Sequence, residues 1–514
     1  MSADRFSKII TASINGLEAE LVTVETDITS GLPAFSLVGL PGSAVKESKE
    51  RVRSAIVNSG CEFPLRRITV NLSPADTHKD GSHFDLPIAV GILAGAAKGD
   101  IKLPEKGRSA FFGELSLDGA LNRTAFAVAM ALGLQEKGVR HIFLPEKNLN
   151  EVSELPGLLF YPAYTLNDIV SHLAGGGSIS PVRGGFGGGQ NRERDTDPPD
   201  DFFDVKGQES VKRALVVAAA GAHDVCLTGP PGVGKSMLAK RISGILPPLD
   251  DKESREVTRI HSIAGENAGR SGLMRERPYR SPHHSATQAS IIGGGYRARP
   301  GEISLAHRGV LFLDELPEFE RRTLDMLRQP LEDRYVDLSR VGYKGRYPCD
   351  FLLLAAMNPC PCGYLGDPGH ECRCTQAQIQ RYRSKLSGPL LDRIDIHIRM
   401  SAVEEAEFDP GADSRGCMNT KEMRAAAAAA GKKQRERNPN KALNSRLSAG
   451  GMQKCCEMEK EAVEILKKAY EYYAFSVRAR TKIIKVARTI ADIDGSDIIR
   501  AADIAEAVAY RGVG

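Results

Sequence analysis

Eight residues, GPPGVGKS at Gly229–Ser236, constrain this chain more than any other stretch of it. They match the pattern G-x-x-x-x-G-K-[S/T] in full, between a short apolar run at 225–228 and a helical pattern that begins MLAKRISGIL. Such glycines let successive backbone N–H groups curl around an anion, and the helix that follows adds the positive end of its dipole. The pattern predicts a loop that binds the phosphates of a nucleotide. The candidate contacts are Gly229, Pro230, Pro231, Gly232, Val233, Gly234, Lys235, Ser236 and Met237.

The chemistry of nucleotide triphosphates assigns roles to two of these side chains and to two carboxylates. We expect Lys235 to neutralise the β- and γ-phosphate oxygens and the Ser236 hydroxyl to be a ligand of Mg²⁺. The apolar run VLFL, which precedes Asp314 and Glu315, predicts a buried strand that ends in two acids, where α/β sheets bind ligands. Since like charges repel, we expect separate roles: Asp314 holds Mg²⁺ through water, and Glu315 polarises the attacking water.

Three further polar residues follow apolar or helical patterns. Asn358 ends the run FLLLAAM, where it either orients the lytic water or caps a turn before Pro359. Arg393 in LLDRID and Arg478 in FSVRAR are candidates for stabilising the charge that accumulates on the transferred phosphoryl group. Each arginine taken alone is as compatible with an ordinary surface ion pair.

Composition divides the chain and excludes several classes of protein. With 514 residues, at about 150 residues per domain, we expect about three domains. We place an α/β domain at 1–174, a flexible Gly- and Pro-rich linker at 175–200, a parallel α/β core at 201–400 and a helical domain at 401–514. The longest apolar run, at 86–97, is too short for a membrane span of ~18 residues. Ten cysteines without a secretory signal suit the cytoplasm, and we expect no membrane partner.

The order of these motifs resembles that of the AAA+ ATPases, and more specific strings narrow the resemblance. PHHS, GGGYRARPGEISLAH, MNPCPCGY and KVARTIADIDG are similar to motifs of the ComM/YifB family of magnesium-chelatase-like ATPases. The resemblance implies ATP and Mg²⁺ as cofactors and a ring, most often of six subunits. It also implies that Arg393 acts in trans on the next subunit, while Arg478 acts in cis from a helical lid.

Two stretches look like inserts that the magnesium-chelatase branch carries. Residues 280–309 resemble its helix-2 insert, and the strand–turn–strand pattern at 335–349 resembles its pre-sensor-1 hairpin. The family resemblance implies movement on single-stranded or branched DNA, with helicase and branch-migration activity in recombination or natural transformation. Cations and aromatics in these inserts are candidate DNA contacts, although isolated patches of this kind are as compatible with solvated loops. The candidates are Tyr343, Lys344, Arg346, Arg297 and Arg299. The alternative function is a chaperone-like remodeller of a protein or metallocofactor complex.

The first domain resembles the ribosomal-S5-like fold that the Lon protease domain shares, through strings such as NLSPADTHKDGSHFDLPIAV. Lon-type proteolysis needs a serine activated by a lysine. This chain has His83 at the position of the serine and Asn122 at that of the lysine, while Ser82 lies one position away. We therefore expect no peptidase activity, and no small-molecule substrate beyond ATP and water.

Four cysteines within fifteen residues, Cys360, Cys362, Cys372 and Cys374, form a candidate Zn²⁺ site, with His370 as a possible substitute ligand. The alternative is four reduced thiols without a metal. Because the cluster follows Asn358 directly, a metal there is expected to brace that loop rather than to take part in catalysis. The adjacent His283 and His284 stand out in a polar loop, but the sequence assigns them no role.

Overall fold

The structure is a computed structural model that describes residues 6–97, 101–105, 107–177, 179–185, 201–267, 271–295, 298–340, 343–401 and 418–511. The N-terminal region is built on an eight-stranded mixed sheet in the order β10-β9-β8-β5-β1-β2-β4-β3. The strands of this region are β1 Phe6–Asn15, β2 Glu18–Thr29, β3 Ala34–Val38, β4 Arg67–Ser73, β5 Ser109–Phe111, β6 Glu114–Leu115, β7 Leu121–Asn122, β8 His141–Pro145, β9 Leu159–Ala163 and β10 Val182–Arg183. Of these, β6 and β7 pair with each other in a separate two-stranded sheet. Its helices are α1 Ser43–Asn58, α2 Asp85–Ala96, α3 Ala127–Glu136, α4 Leu149–Val152 and α5 Leu166–Ser171.

The longest apolar run of the chain forms α2, which is buried along almost its whole length against β1 and β2. A helix that is apolar on all sides needs such a central position in the core. The helix α3 ends before Gly138, whose φ of 89° is left-handed, as expected for a residue that terminates a helix. None of the described helices is long and apolar enough to span a membrane.

Part of the predicted linker, 175–200, pairs with the N-terminal sheet. Within it, Val182 and Arg183 form β10 and pair antiparallel with Phe160 and Leu159 of β9. The pairing extends the sheet by a short edge strand, which needs backbone hydrogen bonds rather than apolar side chains and is therefore hard to recognise in a Gly-rich sequence. The rest of the predicted linker, 186–200, lies outside the described residues.

The middle of the chain contains the predicted parallel sheet, five strands in the order β12-β15-β18-β11-β19. The strands of this part are β11 Val225–Thr228, β12 Tyr279–Arg280, β13 Gly293–Gly294, β14 Arg299–Pro300, β15 Val310–Leu313, β16 Tyr335–Arg340, β17 Tyr343–Pro348, β18 Leu352–Met357 and β19 Ile396–Arg399. The helices are α6 Glu209–Gly221, α7 Lys235–Ile245, α8 Asp251–Ala264, α9 Gln288–Ile292, α10 Glu302–Leu305, α11 Arg321–Met326, α12 Arg328–Asp333, α13 Gln376–Arg383 and α14 Gly388–Leu391. The central strands are buried on both faces, which explains their continuous apolar sequences.

Two small hairpins lie beside this sheet. The strands β16 and β17 pair antiparallel at the position where the sequence predicted a hairpin, and β13 pairs with β14 within the stretch 280–309. The N-terminal region contacts this part of the chain in two places. Gly345 of β17 lies against Gly16, where a Cβ at Gly345 would come within 3.1 Å of the Gly16 Cα. The carboxylate of Glu154 pairs with Arg275, 3.1 Å away, near α8.

The described residues after 417 form no strand, in agreement with the prediction of a helical C-terminal region. The helices are α15 Thr420–Arg437, α16 Ala449–Cys455, α17 Lys460–Tyr473, α18 Val477–Ile493 and α19 Ala501–Ala509. They share one apolar core with the parallel sheet and α6. A buried polar clasp also joins the two parts: Asp395 accepts a hydrogen bond from His223 Nδ1 at 2.8 Å and pairs with Lys482 of α18.

Candidate functional site

A cavity of about 340 Å³ lies at the carboxyl edge of the parallel sheet, and three separate motifs line it. It takes residues from the phosphate-loop motif, from the pair of acids after β15 and from the end of β18. The three motifs come together because β18 lies between β11 and β15 in the sheet and all three strands run in the same direction. The lining residues are Pro231, Gly232, Gly234, Lys235, Ser236, Met237, Asp314, Glu315, Met357 and Asn358.

The loop itself has the conformation that its glycines permit. Gly232 and Gly234 have φ values of 84° and 86°, in the left-handed region, while a Cβ at either would meet no atom within 4 Å. Backbone conformation, rather than lack of space, therefore requires glycine at both positions. At Gly229 the reason is different, because a Cβ there would come within 2.9 Å of the Met400 carbonyl oxygen.

The ammonium group of Lys235, the first residue of α7, lies at the centre of the cavity. It donates hydrogen bonds to the carbonyl oxygens of Gly229 and Pro230, at 2.7 and 2.8 Å, and to Asn358 Oδ1 at 3.0 Å. Burial lowers the pKa of Lys235, and the carboxylates of Asp314 and Glu315 oppose that shift. A cation held by three neutral acceptors in this way retains its charge for an anionic ligand.

Two oxygen ligands suited to Mg²⁺ lie side by side. The Ser236 hydroxyl donates to Asp314 Oδ2 at 2.6 Å, although the two residues are 78 positions apart in the sequence. Mg²⁺ prefers hard oxygen ligands and keeps several waters, so one hydroxyl and one carboxylate at an open edge fit this ion. The second carboxylate, Glu315, lines the same cavity, and its backbone has a left-handed φ of 49°. Its side chain is 57% exposed, and its Oε2 lies 3.4 Å from His284 Nδ1.

Of the two predicted roles of Asn358, the structure agrees with a position in the site. Its side-chain oxygen accepts from Lys235, and Asn358 lines the cavity with Asp314 and Glu315. The Tyr382 hydroxyl also hydrogen-bonds the backbone of Asn358. Asn358 is therefore held from both sides, which places a neutral amide beside the acids without adding charge.

Neither predicted arginine lines this cavity. Arg393 and Arg478 instead meet at one carboxylate, Glu332 of α12, at 2.9 and 3.2 Å. The Arg393 side chain is 13% exposed, and its Nε is buried without a hydrogen-bond partner in the described part of the chain. The action of Arg478 on the nucleotide of its own subunit therefore stays a prediction. Close to both arginines, Lys482 of α18 pairs with Asp395, which lies two residues after Arg393.

The four predicted cysteines converge. Their sulfur atoms lie within 4.8 Å of one another, and Cys360, Cys362 and Cys372 are separated by 3.4 to 3.7 Å. Tetrahedral Zn²⁺ with Zn–S bonds of about 2.3 Å needs sulfurs about 3.8 Å apart, so the spacing fits this ion. Backbone hydrogen bonding from Tyr364 lowers the pKa of the Cys362 thiol to about 6, while burial and the neighbouring sulfurs raise the pKa of the Cys372 and Cys374 thiols. Without a metal the cluster thus favours the thiolate at Cys362.

His370 does not belong to this cluster. Its Nδ1 lies 3.2 Å from Asp367 Oδ2, and its ring stacks on Tyr364. The cysteine loop also touches the nucleotide cavity, because a Cβ at Gly363 would come within 2.6 Å of Pro231 Cδ. The thiol cluster thus stands directly behind the phosphate loop and the Asn358 strand.

The structure describes only some of the residues predicted to contact DNA. Arg346 is exposed, forms a two-point ion pair with Asp337 at 2.8 and 3.0 Å, and lies over the Tyr335 ring. Arg299 is exposed in β14. The backbone of Tyr343 and Lys344 belongs to β17. Arg297 lies outside the described residues.

The N-terminal region has no serine–lysine pair at the position where Lon has one. The Ser82 hydroxyl donates to the carboxylate of Glu114, and Asn122 donates to Ser116 Oγ at 2.7 Å. His83 is buried, its Nε2 lies 3.0 Å from the Ala12 carbonyl oxygen, and burial lowers its pKa to about 4. The Ser82 proton thus goes to a carboxylate rather than to a lysine, and the absence of peptidase activity stays a prediction.

Sequence reasoning missed two residues at these sites. His284 contacts the carboxylate of Glu315, and the PHHS motif had drawn attention to it without giving it a role. Glu332 joins the two arginines, and no local pattern marks it, because it is one of two adjacent acids at the end of a short helix.

Comparisons with known proteins agree with this arrangement. Family models match three parts of the chain: magnesium chelatase subunit ChlI at residues 201–408, subunit ChlI of Mg-chelatase at 24–148, and the ChlI C-terminal region at 418–511. The chain is 41% identical to the uncharacterized protein YifB of Escherichia coli over 99% of this chain and 97% of that protein. It is 40% identical to the competence protein ComM of Haemophilus influenzae over 97% of this chain and 96% of that protein.

The chain belongs to the ComM/YifB family of magnesium-chelatase-like AAA+ proteins. This family member also resembles a magnesium-chelatase subunit itself, the 67 kDa subunit of Heliobacterium mobile. That match is weaker, at 27% identity over 40% of this chain and 31% of that protein. Membership indicates an ATPase that uses ATP and Mg²⁺, in a superfamily whose members usually form oligomers. The parallel core and the helical C-terminal region fit the fold of this family.

Proposed function

We propose that this ComM/YifB family member is an ATP-driven ring motor that moves on single-stranded or branched DNA. In this proposal ATP occupies the cavity at the carboxyl edge of the sheet. Lys235 binds its phosphates, and Ser236 and Asp314 hold Mg²⁺. Glu315 accepts a proton from the attacking water, which Asn358 orients. Hydrolysis releases ADP and phosphate.

The proposal of a ring is supported by the position of the two predicted arginines outside the nucleotide cavity. The cavity has every group that hydrolysis needs except an arginine, while Arg393 and Arg478 lie together on Glu332, outside its lining. Phosphoryl transfer gains most from a cation that reaches the γ-phosphate from a neighbour. We therefore place both arginines on the nucleotide of the adjacent subunit, which changes the expected role of Arg478 from cis to trans. When the same contact between neighbouring subunits, here called a seam, repeats around a closed rotational symmetry, the assembly is a homo-oligomeric ring. We propose that the ring has six subunits.

The proposal of a DNA substrate is supported by the relatives of this chain and by the positions of two hairpins. The similarity to a competence protein, ComM, supports a role in competence, and the hairpins β13–β14 and β16–β17 are the elements that we interpret as the helix-2 insert and the pre-sensor-1 hairpin. Exposed cations such as Arg299 and Arg346, repeated around a ring, would make a basic channel although the net charge is only +4. We propose helicase and branch-migration activity in recombination or natural transformation, in the cytoplasm.

The domain division is part of the same proposal. Residues 1–174 would form an S5/Lon-like domain without peptidase activity, 201–400 the ATPase core and 401–514 a lid. The alternative function is a chaperone-like remodeller of a protein or metallocofactor complex, and the relatedness to magnesium-chelatase subunits favours keeping it as the competing hypothesis.

Strand displacement by the purified protein tests the proposal. We expect ATP-dependent displacement on a forked substrate and an ATPase rate that single-stranded DNA stimulates, with a steep decrease as salt rises. The Lys235→Ala variant is the control and should displace nothing. An ATPase rate that no DNA changes, together with activation by a protein partner, would contradict the DNA motor and support the remodeller.

We also propose that Cys360, Cys362, Cys372 and Cys374 bind one structural Zn²⁺. The four sulfurs have the spacing of a tetrahedral site, and the loop between them packs on Pro231 of the phosphate loop. The ion would fix the position of this loop, and it would take no part in hydrolysis.

Metal analysis of the purified protein tests this site directly. We expect about one zinc per chain, and none in a Cys362→Ser/Cys372→Ser variant. That variant should also lose more than about 2 kcal/mol of unfolding free energy, as structural metal sites do. Cys61→Ser, which changes a thiol far from the cluster in sequence, is the matched control. Zinc content equal in the two variants would contradict the proposed site.

A further inference from the structure

The catalytic carboxylate of the proposed reaction has a neighbour that the reaction does not use. His284 Nδ1 lies 3.4 Å from Glu315 Oε2. Among the described residues, His284 is the side chain that pairs with the Glu315 carboxylate. Glu315 itself has a left-handed φ of 49° and lines the nucleotide cavity together with Ser236. The contact thus engages the oxygen that would otherwise accept a proton from water.

The imidazole is held in this position rather than lying free in solvent. Its ring is 4.0 Å, centre to centre, from the ring of His283 and meets the edge of Phe319 at 6.4 Å. His283 Nδ1 in turn lies 2.7 Å from Ser285 Oγ, which fixes the turn that carries both histidines. Because aromatic contacts from two directions set the plane of the ring, a shift of this turn would move the His284 nitrogen relative to Glu315.

The turn lies within residues 280–309, the stretch that we interpret as the helix-2 insert, on the N-terminal side of its hairpin. Thr287 caps α9 through a hydrogen bond from the Ser290 N–H to its hydroxyl, and β13 and β14 follow directly. Residues 284–289 also line a cavity of about 670 Å³, together with residues of the segment 318–326. This space allows the turn to be displaced. A force on the β13–β14 hairpin would therefore reach His284 through one short helix and one turn.

We propose that His284 is a positioning residue that restrains the Glu315 carboxylate until a polymer in the ring channel displaces the 283–295 segment. With the contact made, one carboxylate oxygen is occupied and water competes poorly for it. With the contact broken, Glu315 is free to accept the proton of the lytic water. Hydrolysis thereby becomes dependent on the ligand of the insert. This inference rests on the proposed function, because it presumes that Glu315 is the base.

The test is the steady-state ATPase rate of His284→Ala, with and without a single-stranded oligonucleotide. We expect the basal kcat to rise about two- to tenfold, the value of one intramolecular hydrogen bond, with KM for ATP unchanged. Stimulation by the oligonucleotide should fall towards unity, because the restraint it relieves is already absent. His284→Asn, which retains a donor, should restore part of the wild-type basal rate and part of the stimulation.

His283→Ala is the matched control, since it alters the same turn without removing the contact to Glu315. We expect its basal kcat to stay nearer to wild type than that of His284→Ala. Equal effects of the two variants, a raised KM, or a basal kcat that does not rise in His284→Ala would each overturn the positioning role. These outcomes are distinct from failure of the proposed function. If the oligonucleotide does not stimulate the wild-type protein, the DNA motor fails, while the effect on basal kcat still tests His284.

Discussion

The nucleotide cavity and the arginine cluster at Glu332 differ in how far their polar groups find partners within the described part of the chain. The cavity brings together residues from three segments of the chain between Pro231 and Asn358, and its polar groups bond to one another. The cluster has two cations for one acid, and the buried Arg393 Nε has no partner within the described residues. Unsatisfied buried donors are costly, so a missing acceptor is the natural explanation. The comparison indicates that the cavity is one half of a site and the cluster is the other half.

The largest expected effect separates the two halves. Arg393→Ala should lower kcat by about 10³-fold or more, the value of an arginine that reaches a transferring phosphoryl group. ATP affinity should remain near that of wild type, because Arg393 does not line the cavity of its own chain. Nucleotide titration and turnover on the same preparation measure both quantities. A loss of ATP affinity as large as the loss of kcat would contradict the division of the site between the cavity and the arginine cluster.

A change inside the cavity should give a different result from the change at the cluster. Glu315→Gln should lower kcat by about 10²-fold or more while ATP stays bound, since only proton acceptance is lost. Unlike Arg393→Ala, this variant should not be rescued by a neighbour with an intact Glu315. Single-turnover measurement of bound ATP gives the rate. Turnover near the wild-type value would remove Glu315 from the reaction.

Arg478→Ala should have a smaller effect than Arg393→Ala, because the Arg478 side chain is 57% exposed and makes a longer contact with Glu332. We expect about a tenfold decrease in kcat, the value of one hydrogen bond to a charged group. Arg480→Ala, two residues further along α18, is the control on the same helix. If the two arginines gave equal small changes, Arg478 would be no more than a surface residue.

The sequence predicted the residues of the nucleotide cavity because each of its motifs is flanked by an apolar or helical pattern that identifies the surrounding strand or helix. The phosphate loop lies between an apolar strand and a helix, and Asp314 and Asn358 each end an apolar strand, so their meeting follows from a parallel sheet. The position of Arg478 could not be predicted in this way. Its contact with Glu332 joins two helices that are far apart in the sequence, and no local pattern marks either residue as a partner of the other.

Two further features of the structure could not be predicted from local sequence patterns for the same reason. The contact between His284 and Glu315 joins two loops through a backbone with a positive φ, which no propensity predicts for a glutamate. The short strand β10 forms through backbone hydrogen bonds in a Gly-rich stretch without apolar alternation. In each case the missing information is a long-range packing interaction rather than a local preference.

Mixed assembly of Lys235→Ala and Arg393→Ala subunits tests most directly whether ATP is cleaved between two copies of the chain. Each variant alone should be almost inactive, since every seam lacks either the lysine or the arginine. In an equal mixture, about a quarter of the seams of a closed ring combine an intact cavity with an intact arginine, so turnover should recover to about a quarter of wild type. A mixture that is no more active than either variant alone would contradict the account.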